Sequence, residues 1–247
     1  MKTVKLCCLI AAAVMLWGCG KGTPEENYIS AIRAGETGNW KEAAKFADRA
    51  AAAAPNHTGI LIMRAIACEE IGNYDQAVDS AHRAVKLAPD NFAAQYTLGR
   101  LYSSNPLRNA EAINTLNAAL KLRPDSVETM VLICNVFNRM GAVEAYNYLA
   151  RLEKDPRFKN DPAFYSQLGV VLTKINRNRA AYTCFVKAFK LAGDNPDVVF
   201  NAARFFTYYS PNRNFAKQLY ARFEKLASGR EKYTAELDEA KAEISRR

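Results

Sequence analysis

Apolar residues recur at helical spacing along most of the chain, as in Leu98, Leu101 and Tyr102 or Leu168, Leu172 and Ile175. A stripe of this period buries one face of a helix. Twelve glycines, nine prolines and abundant alanine point to helices joined by short turns rather than to a turn-rich β sandwich. The stripes also repeat. Gly38-Asn39-Trp40-Lys41-Glu42-Ala43 is echoed 34 residues later by Gly72-Asn73-Tyr74-Asp75-Gln76-Ala77, and eight of the eighteen positions from Gly38 to Pro55 are identical at that offset. Ordinary residue frequencies would give about one.

A duplication of this period resembles the tetratricopeptide repeat, a helix-turn-helix unit of 34 residues. The small residue of the first helix falls on Ala31, Ala65, Gly99, Cys134, Gly169 and Ala203, and the alanine of the second on Ala43, Ala77, Ala112, Ala145, Ala181 and Ala216. Two helices joined by a short turn cross closely only where both carry small side chains. A later small position reads Ala50, Ala84, Ala119 and Ala188, with Leu152 and Phe223 in the fourth and sixth units. The helix-ending proline appears at Pro55, Pro89, Pro124 and Pro156 and becomes Gly193 in the fifth. The resemblance implies an all-α chain: a right-handed superhelical α-solenoid of about six units, near 24–57, 58–91, 92–126, 127–160, 161–195 and 196–228. The charged segment 229–247, striped by Tyr233, Leu237, Ala240 and Ile244, reads as a helix capping the exposed end.

Before the repeats, Lys2 and Lys5 precede an unbroken apolar run of twelve residues, Leu6 to Trp17. About twenty are needed to span a bilayer, so the run fits a secretory signal peptide better than a mature transmembrane helix. It ends at Leu16-Trp17-Gly18-Cys19, which resembles a bacterial lipoprotein signal, although Trp17 departs from the small residue usual there. That resemblance implies a signal peptide at 1–18, lipid on Cys19, and anchorage most simply at the periplasmic face of the outer membrane. Residues 19–23 form the lipidated terminus and tether. From Gly20 to Thr23 the tether reaches roughly 15 Å, holding the folded part close to the membrane.

Composition narrows the chemistry. Two histidines in the chain leave little for a histidine metal site, and the three remaining cysteines, Cys68, Cys134 and Cys184, lack zinc-type spacing and read as small buried residues. Gly18-Cys19-Gly20-Lys21-Gly22-Thr23 lacks the phosphate-loop spacing, and no triad, zincin or dinucleotide motif appears, so neither an enzyme nor a cofactor is expected. The charge excess of +9 is uneven: residues 19–150 carry 13 basic and 14 acidic groups, residues 151–247 carry 19 and 11. A mild excess of this kind does not mark a nucleic-acid binder.

In the repeat family, a set of first-helix positions lines the concave groove. The resemblance carries these to Tyr96, Arg100, Asn135, Asn138, Arg139, Lys174, Arg204 and Tyr208 as peptide-groove candidates. Asn and Arg can bond the backbone of an extended peptide, and Tyr adds apolar contact with a polar tip. The chaperone-type carboxylate clamp is not reproduced, because Val131 stands where its lysine belongs. The expected function is a membrane-anchored scaffold binding envelope proteins in assembly or secretion, comparable to pilus-biogenesis or barrel-assembly lipoproteins. The alternative is a cell-wall or polysaccharide-export accessory that binds polymer.

Overall fold

The structure, a computed structural model, describes residues 22–141, 143–209 and 213–246. The apolar leader and Cys19 lie outside the described residues. Thirteen α-helices and three short 3₁₀ turns form the regular structure of the described residues, with no strand. The helices are α1 (Pro24–Glu36), α2 (Trp40–Ala53), α3 (Thr58–Glu70), α4 (Tyr74–Leu87), α5 (Phe92–Ser103), α6 (Asn109–Leu122) and α7 (Val127–Met140). They continue as α8 (Ala145–Leu152), α9 (Pro162–Lys174), α10 (Asn178–Ala192), α11 (Pro196–Tyr209), α12 (Arg213–Ala227) and α13 (Thr234–Ser245). The chain divides into two compact units, Met1–Leu132 and Ile133–Arg247, with the division inside α7.

Each first helix starts on a side chain that receives a backbone N–H. Thr23 Oγ1 accepts from Glu26 N at 3.1 Å while Glu26 Oε2 accepts from Thr23 N at 2.8 Å, a reciprocal capping box. His57 Nδ1, Asn91 Oδ1, Ser126 Oγ, Asp161 Oδ1 and Asn195 Oδ1 do the same work at α3, α5, α7, α9 and α11. Such caps satisfy N–H groups that a helix leaves without an internal partner. Between paired helices the chain must reverse in a few residues, and Gly38 and Gly72 do so at φ 74° and 78°. Asn176 takes the corresponding turn at φ 60°, a conformation that asparagine tolerates better than most residues.

In the first unit α1 packs on α2, α3 on α4 and α5 on α6, and the pairs join through α2–α3 and α4–α5. The crossings are built from the small residues expected there: Ala31, Ala43, Ala65, Ala77 and Ala112 have no exposed surface. At Gly99 the approach is closest, since a Cβ built there would sit 2.7 Å from Leu116 Cδ2. Arg64 on α3 then ties neighbours together, with Nε 2.6 Å from Asp48 Oδ1 on α2 and Nη1 donating to Ser80 Oγ on α4 at 2.8 Å.

The second unit keeps the helix pairs but packs them with larger groups. Cys134, Ala145, Gly169, Ala181, Ala203 and Ala216 are buried at the crossings. Leu152 and Phe223, which replace the later alanine, are buried too. Rings fill the volume that alanines occupy in the first unit: Phe185 meets Phe205 at 4.9 Å between centroids, and Phe200 meets Phe223 at 4.8 Å. The C-terminal segment is not one helix from residue 230. Glu231–Tyr233 forms a 3₁₀ turn before α13 because Tyr233 turns inward against Phe223, its hydroxyl donating to Asp197 Oδ2 at 3.1 Å. From there α13 packs on α12, with Ala240 fully buried.

Candidate functional site

The eight groove candidates divide between the units. Tyr96 and Arg100 belong to the first, on α5. Tyr96 is half-buried and stacks on Phe92 at 5.7 Å, and burial pushes its hydroxyl pKa up despite nearby Arg100. Arg100 already holds a partner: Nη1 donates to Glu69 Oε1 at 2.8 Å and Nη2 lies 2.5 Å from Glu69 Oε2 on α3. That carboxyl is itself raised in pKa, because desolvation outweighs the opposing pull of Arg100. Arg100 therefore ties α5 to α3 in the free protein.

In the second unit, Asn135, Asn138 and Arg139 are exposed on the last turns of α7. Gln167 Nε2 donates to Cys134 O at 3.4 Å, and Lys174 Nζ donates to Gly141 O at 3.1 Å, so α9 is held against the end of α7. Lys174 is the last residue of α9. Arg204 and Tyr208 stand one turn apart on α11, which packs beside α9.

Lys174, Arg204 and Tyr208 converge on one pocket of about 210 Å³. Val170 and Thr173 wall it from α9, Asn201 and Tyr209 from α11, and Phe185 and Phe205 make its floor. The two floor rings are almost fully buried, whereas Tyr208 and Tyr209 keep 62% and 46% of their surface. Large aromatic side chains left that open, beside an apolar floor, are the feature that most distinguishes this face. The volume is below the roughly 300–1,000 Å³ of a small-molecule cleft, so the hole suits a side chain rather than a cofactor.

The electrostatics of the rim are positive but partly engaged. Arg204 Nε lies 3.2 Å from Glu239 Oε1 on α13, a pair whose side chains are 55% and 34% exposed. The Tyr220 hydroxyl reaches the same carboxylate oxygen at 3.5 Å, and burial raises its pKa to about 12, so it remains a donor. Asn201 Nδ2 donates to Ser166 Oγ at 3.1 Å, which fixes one end of its amide. The arrangement can seat an apolar side chain and meet an adjoining anion with two cations.

Sequence reasoning missed Thr173, Asn201, Phe205, Tyr209 and Glu239. Asn201 could have been found, since it lies one helical turn before Arg204 and shares its face. Glu239 could not, because only the fold brings α13 to Arg204. Among the described residues no group of three His, Cys, Asp or Glu could hold a metal ion, and no helix is long and apolar enough to cross a membrane.

Residues 58–91 match the tetratricopeptide repeat family model. No curated protein matches the sequence. Among solved structures, YrrB, described as a tetratricopeptide-repeat protein with an unusual peptide-binding site, superposes with a TM-score of 0.66 at 18% identity, covering 81% of this chain and 99% of its own. PilF of Pseudomonas aeruginosa gives 0.67 at 17% identity, covering 89% and 97%. The C-terminal part of a repeat-containing protein from Cytophaga hutchinsonii gives 0.64 at 21% identity, covering 86% and 84%. The chain carries a tetratricopeptide repeat at 58–91, and its fold is that of tetratricopeptide-repeat structures.

Proposed function

We propose that this chain is a non-catalytic protein-binding scaffold, held at the bacterial envelope by lipid on Cys19, which recruits partner proteins there for assembly or secretion. The observation that carries the binding part is the convergence of Lys174, Arg204 and Tyr208 on a pocket floored by Phe185 and Phe205. An extended segment bearing a carboxylate beside a large apolar side chain satisfies both halves of that surface. The peptide-binding site ascribed to YrrB supports a peptide over other ligands. Asn135, Asn138 and Arg139 stand on α7, which α9 adjoins, and would meet the same segment further along. The anchor rests on the Leu16-Trp17-Gly18-Cys19 signal. Several acyl chains on one cysteine hold a protein at a bilayer firmly, where one would not.

The test is a pull-down from detergent-solubilised envelopes with the wild-type chain and with Lys174→Glu/Arg204→Glu. Reversing both charges would set two carboxylates against the partner's own, and a like-charge juxtaposition costs several kcal/mol, so the double variant should weaken a captured partner at least tenfold. Raised salt should weaken the wild type in the same direction. A partner indifferent to both, or bound glycan with no protein, would overturn the reading. Cys19→Ser should abolish labelling by radioactive fatty acid; retained label would remove the anchor.

A further inference from the structure

A second groove in the same unit lies between the second helices α10 and α12 and shares only the buried Phe185 ring with the pocket described above. It is a cavity of about 380 Å³ whose lining is apolar except for Lys190. Along α10 the stripe runs Arg179, Tyr182, Val186 and Lys190, and along α12 it runs Phe215, Leu219 and Arg222, each at one-turn spacing. Phe206 of α11 closes the bottom, its ring meeting Tyr182 at 5.8 Å and Phe215 at 4.9 Å, both edge-on.

Charge on the two helices is one-sided. Between them α10 and α12 carry seven lysines and arginines and one acid, Glu224. Two of those cations are turned elsewhere: Lys187 sits over the Tyr165 ring and Lys217 donates to Arg246 O. Arg179, Lys190 and Arg222 remain exposed around the groove, and none has a carboxylate partner among the described residues. Arg222 lies over the Phe189 ring at 5.5 Å, which holds its guanidinium at the groove edge.

We propose that this groove docks an acidic amphipathic helix of a partner protein, with apolar residues at i, i+4 and i+7 seated between α10 and α12 and flanking carboxylates meeting Arg179, Lys190 and Arg222. Shape and charge together select that occupant. The α10 wall has 15 residues, about 22 Å at roughly 1.5 Å per residue, enough to lie against four turns of a helix. Laying an apolar helix face into an apolar groove is an established recognition mode. An anionic bilayer would also attract the cations, but insertion needs protruding apolar groups, and here the floor is recessed: Phe185, Phe206 and Leu219 are 2%, 7% and 3% exposed. Of the carboxylate pocket's lining this groove shares only Phe185, so the two sites carry separate cations and separate variants test them.

The full chain is panned against a displayed library of 16-residue peptides, and the enriched peptides are measured by fluorescence anisotropy and circular dichroism. The expected winners are acidic, become helical on binding, and weaken at least tenfold on Lys190→Glu/Arg222→Glu, exposed positions that leave the core intact, and on Tyr182→Glu, which removes the half-exposed ring from the groove wall. They should bind Lys174→Glu/Arg204→Glu as they bind wild type. The proposal is overturned if no acidic helical peptide is enriched, or if every winner is lost with Lys174→Glu/Arg204→Glu and none with Lys190→Glu/Arg222→Glu. It is equally overturned if vesicles of phosphatidylethanolamine and phosphatidylglycerol are bound through Lys190 and Arg222 while no peptide is.

Discussion

Gly99→Ala adds one methyl group at the closest helix crossing of the first unit, and its effect can be worked from the contacts. The new Cβ would lie 2.7 Å from Leu116 Cδ2, 2.8 Å from Cγ and 3.2 Å from the Leu116 backbone nitrogen. Leu116 is fully buried, so its side chain has no empty space to swing into, and the backbone contact means that α6 itself must move. Overpacking of this kind costs about 1–3 kcal/mol. Against it stands a gain of up to about 1 kcal/mol, because alanine favours helix over glycine. Subtracting the full gain leaves a loss of about 0–2 kcal/mol, and the contact with the α6 backbone, which cannot swing aside, puts it toward the upper end. Repeat arrays need not unfold in one step, so native-state hydrogen exchange at α5 and α6 is a better readout than a single melting temperature. Leu116→Ala should cost about 2–5 kcal/mol by itself through the cavity it leaves. In that background Gly99→Ala should become nearly neutral, because the two side-chain collisions are gone and the helix gain offsets the backbone contact that remains. Neighbouring residues couple in this way and distant ones do not. A Gly99→Ala chain as protected as wild type, or a cost undiminished in the Leu116→Ala background, would refute the close-crossing argument.

Two further outcomes follow from the caps and the thiols. Asp161 Oδ1 accepts from Ala163 N at 2.9 Å and Phe164 N at 3.1 Å; Asp161→Ala should cost about 0.5–2 kcal/mol, read by hydrogen exchange in α9, while Asp161→Asn should cost much less. Cys68, Cys134 and Cys184 are free and buried, and desolvation raises all three, Cys134 to about 12 and Cys184 to about 11. Because the thiolate is the reactive form, maleimide should label none of them in the folded chain at pH 7.5 and all three in urea; labelling under native conditions would contradict the packing of α3, α7 and α10.

The helix crossings were legible because their physics leaves one solution: only a small side chain fits, so Ala65, Gly99, Cys134 and Gly169 stand out 34 or 35 residues apart. The caps have the same regularity but were not found by matching residues. Thr23, His57, Asn91, Ser126, Asp161 and Asn195 fall 34 or 35 residues apart, yet they share only an acceptor atom, supplied by hydroxyl, imidazole, amide or carboxylate. The groove was legible in part. Helical position places Lys174, Arg204 and Tyr208 on one face, but which cations are already engaged depends on residues far along the chain. Arg100 is matched by Glu69 on the preceding first helix, and Arg204 by Glu239 on a helix that begins only after Tyr233 has turned inward. Apolar periodicity described α13 as a cap and was silent about the acid it carries to the groove.

That pairing bears on how the pocket would recognise anything. A carboxylate arriving at Arg204 does not meet a bare cation; it replaces Glu239, which is itself about one-third exposed and partly hydrated. The exchange yields the difference between two similar ion pairs, and partly exposed pairs contribute little to begin with. Lys174 faces a milder version of the same exchange, giving up the Gly141 carbonyl rather than a charge. The cations therefore act chiefly on partner choice and encounter rate, excluding segments that bring a positive charge. Affinity must come from what is not already satisfied, the Phe185–Phe205 floor and the open faces of Tyr208 and Tyr209. Covering aromatic surface displaces water at no cost in existing contacts, and buried aromatic anchors are where binding energy concentrates in protein interfaces. In this geometry the charged residues that first draw attention select the ligand, and the tyrosines and phenylalanines beside them hold it.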